Sequence, residues 1–186
     1  MKKKLLFIVG SFRKGSFNGQ LARKAEELLG DRAEVTYLDY TDVPMLNQDT
    51  EFPTPEPVAQ LRQAVDAADG LWIFTPEYNR SYPGHLKNIL DWLSRPIAPN
   101  DNTTPTVITA KRVTISGAGG RRAAAAGREK LSELLTYIRA DLMPGEQTGI
   151  VLNREAWTED RMIMTDEQIA QLAAQARAFM DFVSRI

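Results

Sequence analysis

Two short stretches gather the residues able to do chemistry. The first is GSFRKGSFN at residues 10–18, which sets Ser11, Arg13, Lys14, Ser16 and Asn18 in one turn. An apolar run precedes it at 5–9, and Leu21, Ala25, Leu28 and Leu29 follow it on one helical face. The opening amides of a helix have no internal partner and carry the positive end of its dipole, so hydroxyls and a guanidinium collected there suit a phosphate monoester. Singly, these residues have ordinary readings, Ser16 or Asn18 as an N-cap and Arg13 as a solvated charge. Their combination points to an anion. The loop has neither the glycine pattern of a dinucleotide fold nor the Lys-Ser/Thr pattern of a nucleoside triphosphatase, which favours one phosphate over a pyrophosphate or triphosphate.

The second stretch is TPEYNRSYPG at 75–84, directly after the apolar run LWIF. Pro76, Glu77, Tyr78, Asn79, Arg80 and Ser81 offer backbone N–H groups and aromatic surface to a flat heterocycle. Tyr78 could equally pack as a loop aromatic, Glu77 could be a solvent-facing carboxylate, and His85 reads as a surface or capping residue. With no cysteine and one histidine, the chain has no disulfide, thiolate nucleophile or Cys-ligated metal, and little scope for a Ser-His-Asp triad. No side chain is assigned as catalytic, so the hard chemistry is expected of a bound cofactor.

The elements that position these stretches follow from apolar period and punctuation. Strands are expected at 5–9, 33–38 and 71–74, the last an uninterrupted apolar run of the kind covered on both faces. A polar, proline-punctuated loop spans 47–57. Helices are expected at 57–68, after Pro83 with Leu86, Ile89, Leu90 and Leu93 inward, and at 123–139. Residues 107–109 and 112–116 are both β-rich, with 113–116 the better fourth strand, ending in the small-residue turn 116–120. For a fifth strand 141–143 and 149–152 compete. Thr165 to Gln168 is a capping box opening a final amphipathic helix.

At 186 residues, 43% hydrophobic and 25% charged, the chain suits one domain, 1–186. A net charge of −1 supplies no field for nucleic acid or anionic lipid. The opening Met-Lys-Lys-Lys and its brief apolar follower are too short for a signal peptide or membrane span, so a soluble cytoplasmic protein is expected. Alternating strands and helices imply a doubly wound, five-stranded parallel sheet of order 2-1-3-4-5 with helices on both faces. In that order the first and third strands are neighbours at the topological switch point, where FMN is a ligand of known type. The two chemically informative loops follow those two strands, and FMN has both a phosphate and a flat heterocycle.

Gly-Ser-x-Arg-x-x-Ser-x-Asn at 10–18, Pro-Glu-Tyr-Asn at 76–79 and Pro-Gly-x-Leu-Lys-Asn-x-x-Asp-Trp at 83–92 resemble the NADPH-dependent FMN reductase family, which includes quinone and chromate reductases. The resemblance spans nearly the whole chain. It implies a flavodoxin-like fold, non-covalent FMN, two-electron ping-pong transfer from NADPH or NADH through the flavin N5, and assembly as a homodimer or a dimer of dimers. The implied acceptors are quinones, azo compounds or oxidised metal ions such as chromate. Phosphate contacts fall to Ser11, Arg13, Ser16 and Asn18 with Phe17 alongside, and ring contacts to Pro76, Glu77, Tyr78 and Asn79, mainly through backbone. Ser116 and Gly117 would close the pocket from the far side. Pro83, Lys87, Asn88 and Asp91 look like scaffold and interface positions. Arg80 departs from the glycine or aromatic residue common in relatives, and Arg121-Arg122 is an unusual pair that could meet the 2′-phosphate of NADPH or simply be solvated. A flavodoxin-type electron carrier and a non-catalytic FMN or phosphate-ligand binding module are the alternative readings.

Overall fold

Apolar runs bounded by turns become parallel strands whose alternate residues face opposite helical layers. The computed structural model describes residues 2–101 and 103–185. Strand β1 (Lys3–Val9) sends Leu5 and Phe7 to one face and Leu6 and Ile8 to the other. It pairs with β2 (Ala33–Tyr37) and with β3 (Gly70–Phe74), whose five residues are all buried. Strand β4 (Arg112–Gly119) follows β3, and with the short β5 (Asp141–Leu142) beyond it the sheet order is β2-β1-β3-β4-β5, with every strand pair parallel.

Helices α1 (Phe17–Leu29) and α6 (Asp166–Ser184) cover the face carrying Phe7, Trp72 and Phe74. Helices α2 (Glu56–Ala67), α3 (Gly84–Leu93) and α4 (Ala125–Tyr137) cover the face carrying Ile8, Ile73 and Ile115. The fold is flavodoxin-like and doubly wound, as the alternation of elements requires. The capping box is present at α6, where Thr165 accepts from the Gln168 amide and the Gln168 side chain accepts from the Thr165 amide. Asn88 is a scaffold residue, accepting from the Leu46 amide and donating to the Pro44 carbonyl, while Lys87 pairs with Asp91 along α3.

The fifth sheet position is shared. Both candidate segments form strands, β5 (Asp141–Leu142) beside Arg112 and Val113, and β6 (Gly149–Val151) beside Gly117 to Gly119. Each is too short to be read from a period of two. The stretch of β4 between them has no strand neighbour on that edge, and Gln175 of α6 takes its place. Its Nε2 donates to the Ile115 carbonyl and to Thr114 Oγ1, both at 2.8 Å, and its Oε1 accepts from the Thr148 amide and from Ser116 Oγ, both at 2.9 Å. All four hydrogen-bonding positions of the amide are used in a site 4% exposed.

Three boundaries differ from expectation. Residues 107–109 form a turn, with the Thr109 amide bonded to the Thr106 carbonyl and Lys111 to Ile108, although Ile108 is fully buried. Helix α4 begins at Ala125 because Ala123 and Ala124 are left-handed, at φ 49° and 55°. A short helix, α5 (Arg154–Glu159), capped by Asn153, occupies a stretch with no apolar period to announce it.

Gln175→Ala would leave buried donors and acceptors of β4 and Thr148 unpaired, and is expected to destabilise the fold by about 2–4 kcal/mol, read from the midpoint of urea denaturation. On the opposite face, hydrogen bonds from Arg95 hold the buried Glu51 carboxyl below its ordinary value. A depressed carboxyl stabilises the fold above its unfolded pKa, so the stability gap between wild type and Glu51→Gln should be full at neutral pH. It should close as pH falls below about 4.

Candidate active site

The loop after β1 turns directly into α1. Ser16 caps the helix, its Oγ accepting from the Gly19 amide at 3.2 Å. The Gln20 amide makes the first intrahelical bond, to the Ser16 carbonyl, which leaves the Phe17 and Asn18 amides without a helical acceptor at the positive end of the dipole. Ser11 and Arg13 complete the donor set on the same cleft wall. Asn18 lines that wall too, but its amide is already engaged. It donates to the Ala118 carbonyl at 3.2 Å and accepts from the Ala118 amide at 2.9 Å, so its main structural job is to hold the end of β4 against α1.

Arg13 is supported from an unexpected side. Its Nη1 donates to both carboxylate oxygens of Asp160, at 2.7 and 2.9 Å, its Nη2 bonds the Gly15 carbonyl, and the guanidinium lies 5.2 Å from the Phe17 ring centroid. Trp157 of α5 meets Phe17 edge-on at 5.0 Å. Gln20 ties the same segment down, donating to the Asp160 carbonyl and accepting from the Met162 amide. No motif in the sequence marks Trp157, Leu152 or Asp160 as site residues, although Leu152 ends the fifth-strand candidate 149–152. An asparagine cap at Asn153 followed by a tryptophan in a polar stretch is the one signal that could have found them.

The loop after β3 forms the facing wall with Pro76, Glu77 and Tyr78. Glu77 is neither solvated nor aimed at the cleft alone. Its Oε2 accepts from the Ala126 amide at 2.9 Å, giving α4 the N-terminal acceptor that Ala124 cannot supply. Tyr78 and Ser81 exchange backbone hydrogen bonds of 2.8 and 3.0 Å around Asn79 and Arg80, which are both left-handed at φ 51° and 63°. That is a two-residue hairpin turn of the type that favours Asn-Gly. The loop rests on Gly127 of α4, where an added Cβ would come within 3.0 Å of the Pro76 carbonyl.

The third wall lies further along β4 than expected. Ser116 is fully buried, accepting from Trp72 Nε1 at 3.0 Å and donating to Gln175, and Gly117 packs against the Thr75 carbonyl. Neither lines the cleft. Pairing with β6 carries the strand on to Gly119, so Ala118, Gly119 and Gly120 do so instead. Asn79, Arg80 and Ser81, expected at the site, do not line the cleft, because the hairpin turn carries them past Tyr78. His85 stacks on Phe12 at 4.3 Å beneath the first loop, and burial lowers its pKa below the ordinary value.

The cleft has a volume of about 210 Å³ at the carboxyl ends of β1, β3 and β4. One end holds hydroxyls, a guanidinium and helix-start amides. The other is lined by the flat or apolar surfaces of Pro76 and Tyr78, with Gly120 open to space where a Cβ would stand, while Leu152 and Trp157, which packs on Phe17, complete the lining. A phosphomonoester joined to a flat heterocycle matches that division, and FMN is such a group. The profile of NADPH-dependent FMN reductases matches residues 3–151. The chain belongs to that family.

Among individual proteins, a quinone reductase of Escherichia coli strain K12 is 31% identical over 189 residues, covering 100% of this chain and 97% of its own. A 2-hydroxy-1,4-benzoquinone reductase of a Burkholderia species is 45% identical over 96 residues, and this alignment spans about half of each chain, 52%. The solved flavoenzyme NAD(P)H:(acceptor) oxidoreductase of Paracoccus denitrificans superposes with a TM-score of 0.85 at 30% identity, covering 97% of both chains.

Within this FMN reductase scaffold, Arg80→Gly removes a side chain from a left-handed position and is expected to raise stability by about 0.5–1 kcal/mol in thermal or urea unfolding. Glu77→Ala is expected to cost about 1 kcal/mol through the lost α4 cap, an effect that Glu77→Gln should recover in part.

Proposed function

We propose that the protein is an FMN-dependent NAD(P)H:quinone oxidoreductase working by alternate binding of donor and acceptor. The carrying observation is one cleft with a phosphate-type donor set at one end and flat apolar walls at the other. FMN, when bound, supplies the two-electron chemistry between NAD(P)H and the acceptor.

The chain's own residues bind, orient and shield. Ser11, Ser16, Arg13 and the Phe17 and Asn18 amides hold the phosphate, while Asp160 and Phe17 fix the guanidinium so that little side-chain freedom is lost on binding. Pro76, Glu77 and Tyr78 would hold the ring, mainly through backbone, and Ala118 to Gly120 would line the wall opposite. Trp157 and Leu152 exclude water from the phosphate side. Asn79, Arg80 and Ser81 shape the mouth, and Ser116 and Gly117 support the third wall from within. Use of this one cleft by donor and acceptor in turn favours ping-pong exchange. Quinones suit it by shape, and azo compounds and ions such as chromate share the two-electron requirement. Assembly as a homodimer or a dimer of dimers is part of the same proposal, supported by the family resemblance and by Tyr137, 84% exposed on α4. A cytoplasmic site of action accords with NAD(P)H as donor, and the whole chain 1–186 acts as one domain.

The test is the visible spectrum of the purified protein under anaerobic conditions. Flavin bands should bleach with NADPH and return with a quinone, and a protein that neither carries nor takes up FMN would overturn the proposal. Arg13→Ala should weaken FMN retention by about tenfold or more, the loss of a charged hydrogen-bonding partner, with unfolding midpoints little changed. Full FMN occupancy in that variant after dialysis would refute the phosphate assignment.

A further inference from the structure

Backbone strain is concentrated around one cleft. Of the eight non-glycine residues with left-handed φ among the described residues, five border it: Asn79, Arg80, Ala123, Ala124 and Asp160. Strain of this kind persists where the surrounding structure imposes it and marks candidate functional turns. Two of these turns present arginines outward. Arg80 occupies the position where a hairpin of this type favours glycine. Across the cleft, Ala123 bonds back to the Gly120 carbonyl and Ala125 to Arg122, both at 2.8 Å, and these overlapping turns leave Arg121 and Arg122 exposed directly beyond Gly120 of the cleft lining.

The two turns belong to one rim, because α4 fastens them together. Glu77 bonds the Ala126 amide, and Gly127 lies against the carbonyls of Pro76 and Ser81. All three guanidinium groups are unengaged. Among the described residues none of them forms an ion pair or donates a side-chain hydrogen bond, whereas Arg13 at the inner end is committed to Asp160. The inner donor set accounts for one phosphate, and the rim arginines lie outside it.

We propose that Arg121 and Arg122, with Arg80 on the turn fastened to the same helix, take the 2′-phosphate of NADPH and so make the enzyme selective for NADPH over NADH. The proposal rests on the oxidoreductase reading above. Both donors carry the pyrophosphate, so it cannot discriminate between them, and the 2′-phosphate is the one group that differs. A terminal phosphomonoester carries a charge of about −1.5 to −2 near neutral pH and offers three acceptor oxygens, which matches adjacent guanidinium forks better than a singly charged diester does.

The probes are adenosine 2′,5′-bisphosphate and adenosine 5′-monophosphate, titrated calorimetrically into the FMN-loaded protein. Wild type should bind the bisphosphate about tenfold or more tightly than the monophosphate. The Arg121→Ala/Arg122→Ala variant should lose most of that preference, and Arg80→Gly part of it, with the ratio of kcat/KM for NADPH to that for NADH falling in parallel. A preference that survives in both variants, or an equal loss of affinity for the two nucleotides, would overturn the assignment. The oxidoreductase reading fails separately, when flavin bands do not bleach with either donor. In that case the nucleotide comparison still reports on the rim directly.

Discussion

The gap in the fifth sheet position is the constraint on which the site depends. A parallel sheet has no room for an unpaired strand edge facing a buried layer, because each orphaned amide or carbonyl carries a desolvation cost. Gln175 resolves this with a single side chain that serves β4, Ser116 and the Thr148 amide together. The chain between β5 and β6 is thereby free to leave the sheet and return higher up. It rejoins beside Gly117 to Gly119, which extends β4 and brings its last residues to the level of the two loops after β1 and β3. Without that second pairing there would be no third wall, and α5 would not emerge close enough for Trp157 and Asp160 to reach Phe17 and Arg13.

A second bond locks the result. Asn18, in the first turn of α1, grips both polar groups of Ala118, so the helix start with its amides that lack a helical acceptor is fixed to the strand that closes the cleft. Glu77 does the same between the β3 loop and α4. Both residues belong to motifs that carry the family resemblance. In this structure their side chains are spent largely on holding walls together, while backbone groups face the cleft. Rigid strands carry the frame, and the strained turns at its mouth carry the exposed charge.

Much of this was legible in the sequence, and the reasons are local. The burial of β3 follows from the run LWIF, the turn from β1 into α1 from the polar residues set before an apolar helical period, and the sheet order from the alternation of strand and helix. Each depends on neighbours along the chain or on a topological rule that admits few alternatives. The capping box at α6 was readable for the same reason.

Tertiary contacts decided the rest. Whether 141–143 or 149–152 would pair with β4 could not be settled by segments of two and three residues, because the answer depends on a glutamine on a helix some 25 residues later. Ser116 and Gly117 lie inside the wall and Ala118 to Gly120 on it for that reason alone. The role of α5 was equally hidden: its six residues have no apolar period, and what fixes it is an ion pair and a ring contact to residues more than 130 positions away. The sequence by itself determined the four long strands, the helices with an apolar period and which two loops meet, since these follow from period, punctuation and handedness. Only the folded chain decided which faces of those loops point into the cleft, because that depends on long-range partners for individual polar groups.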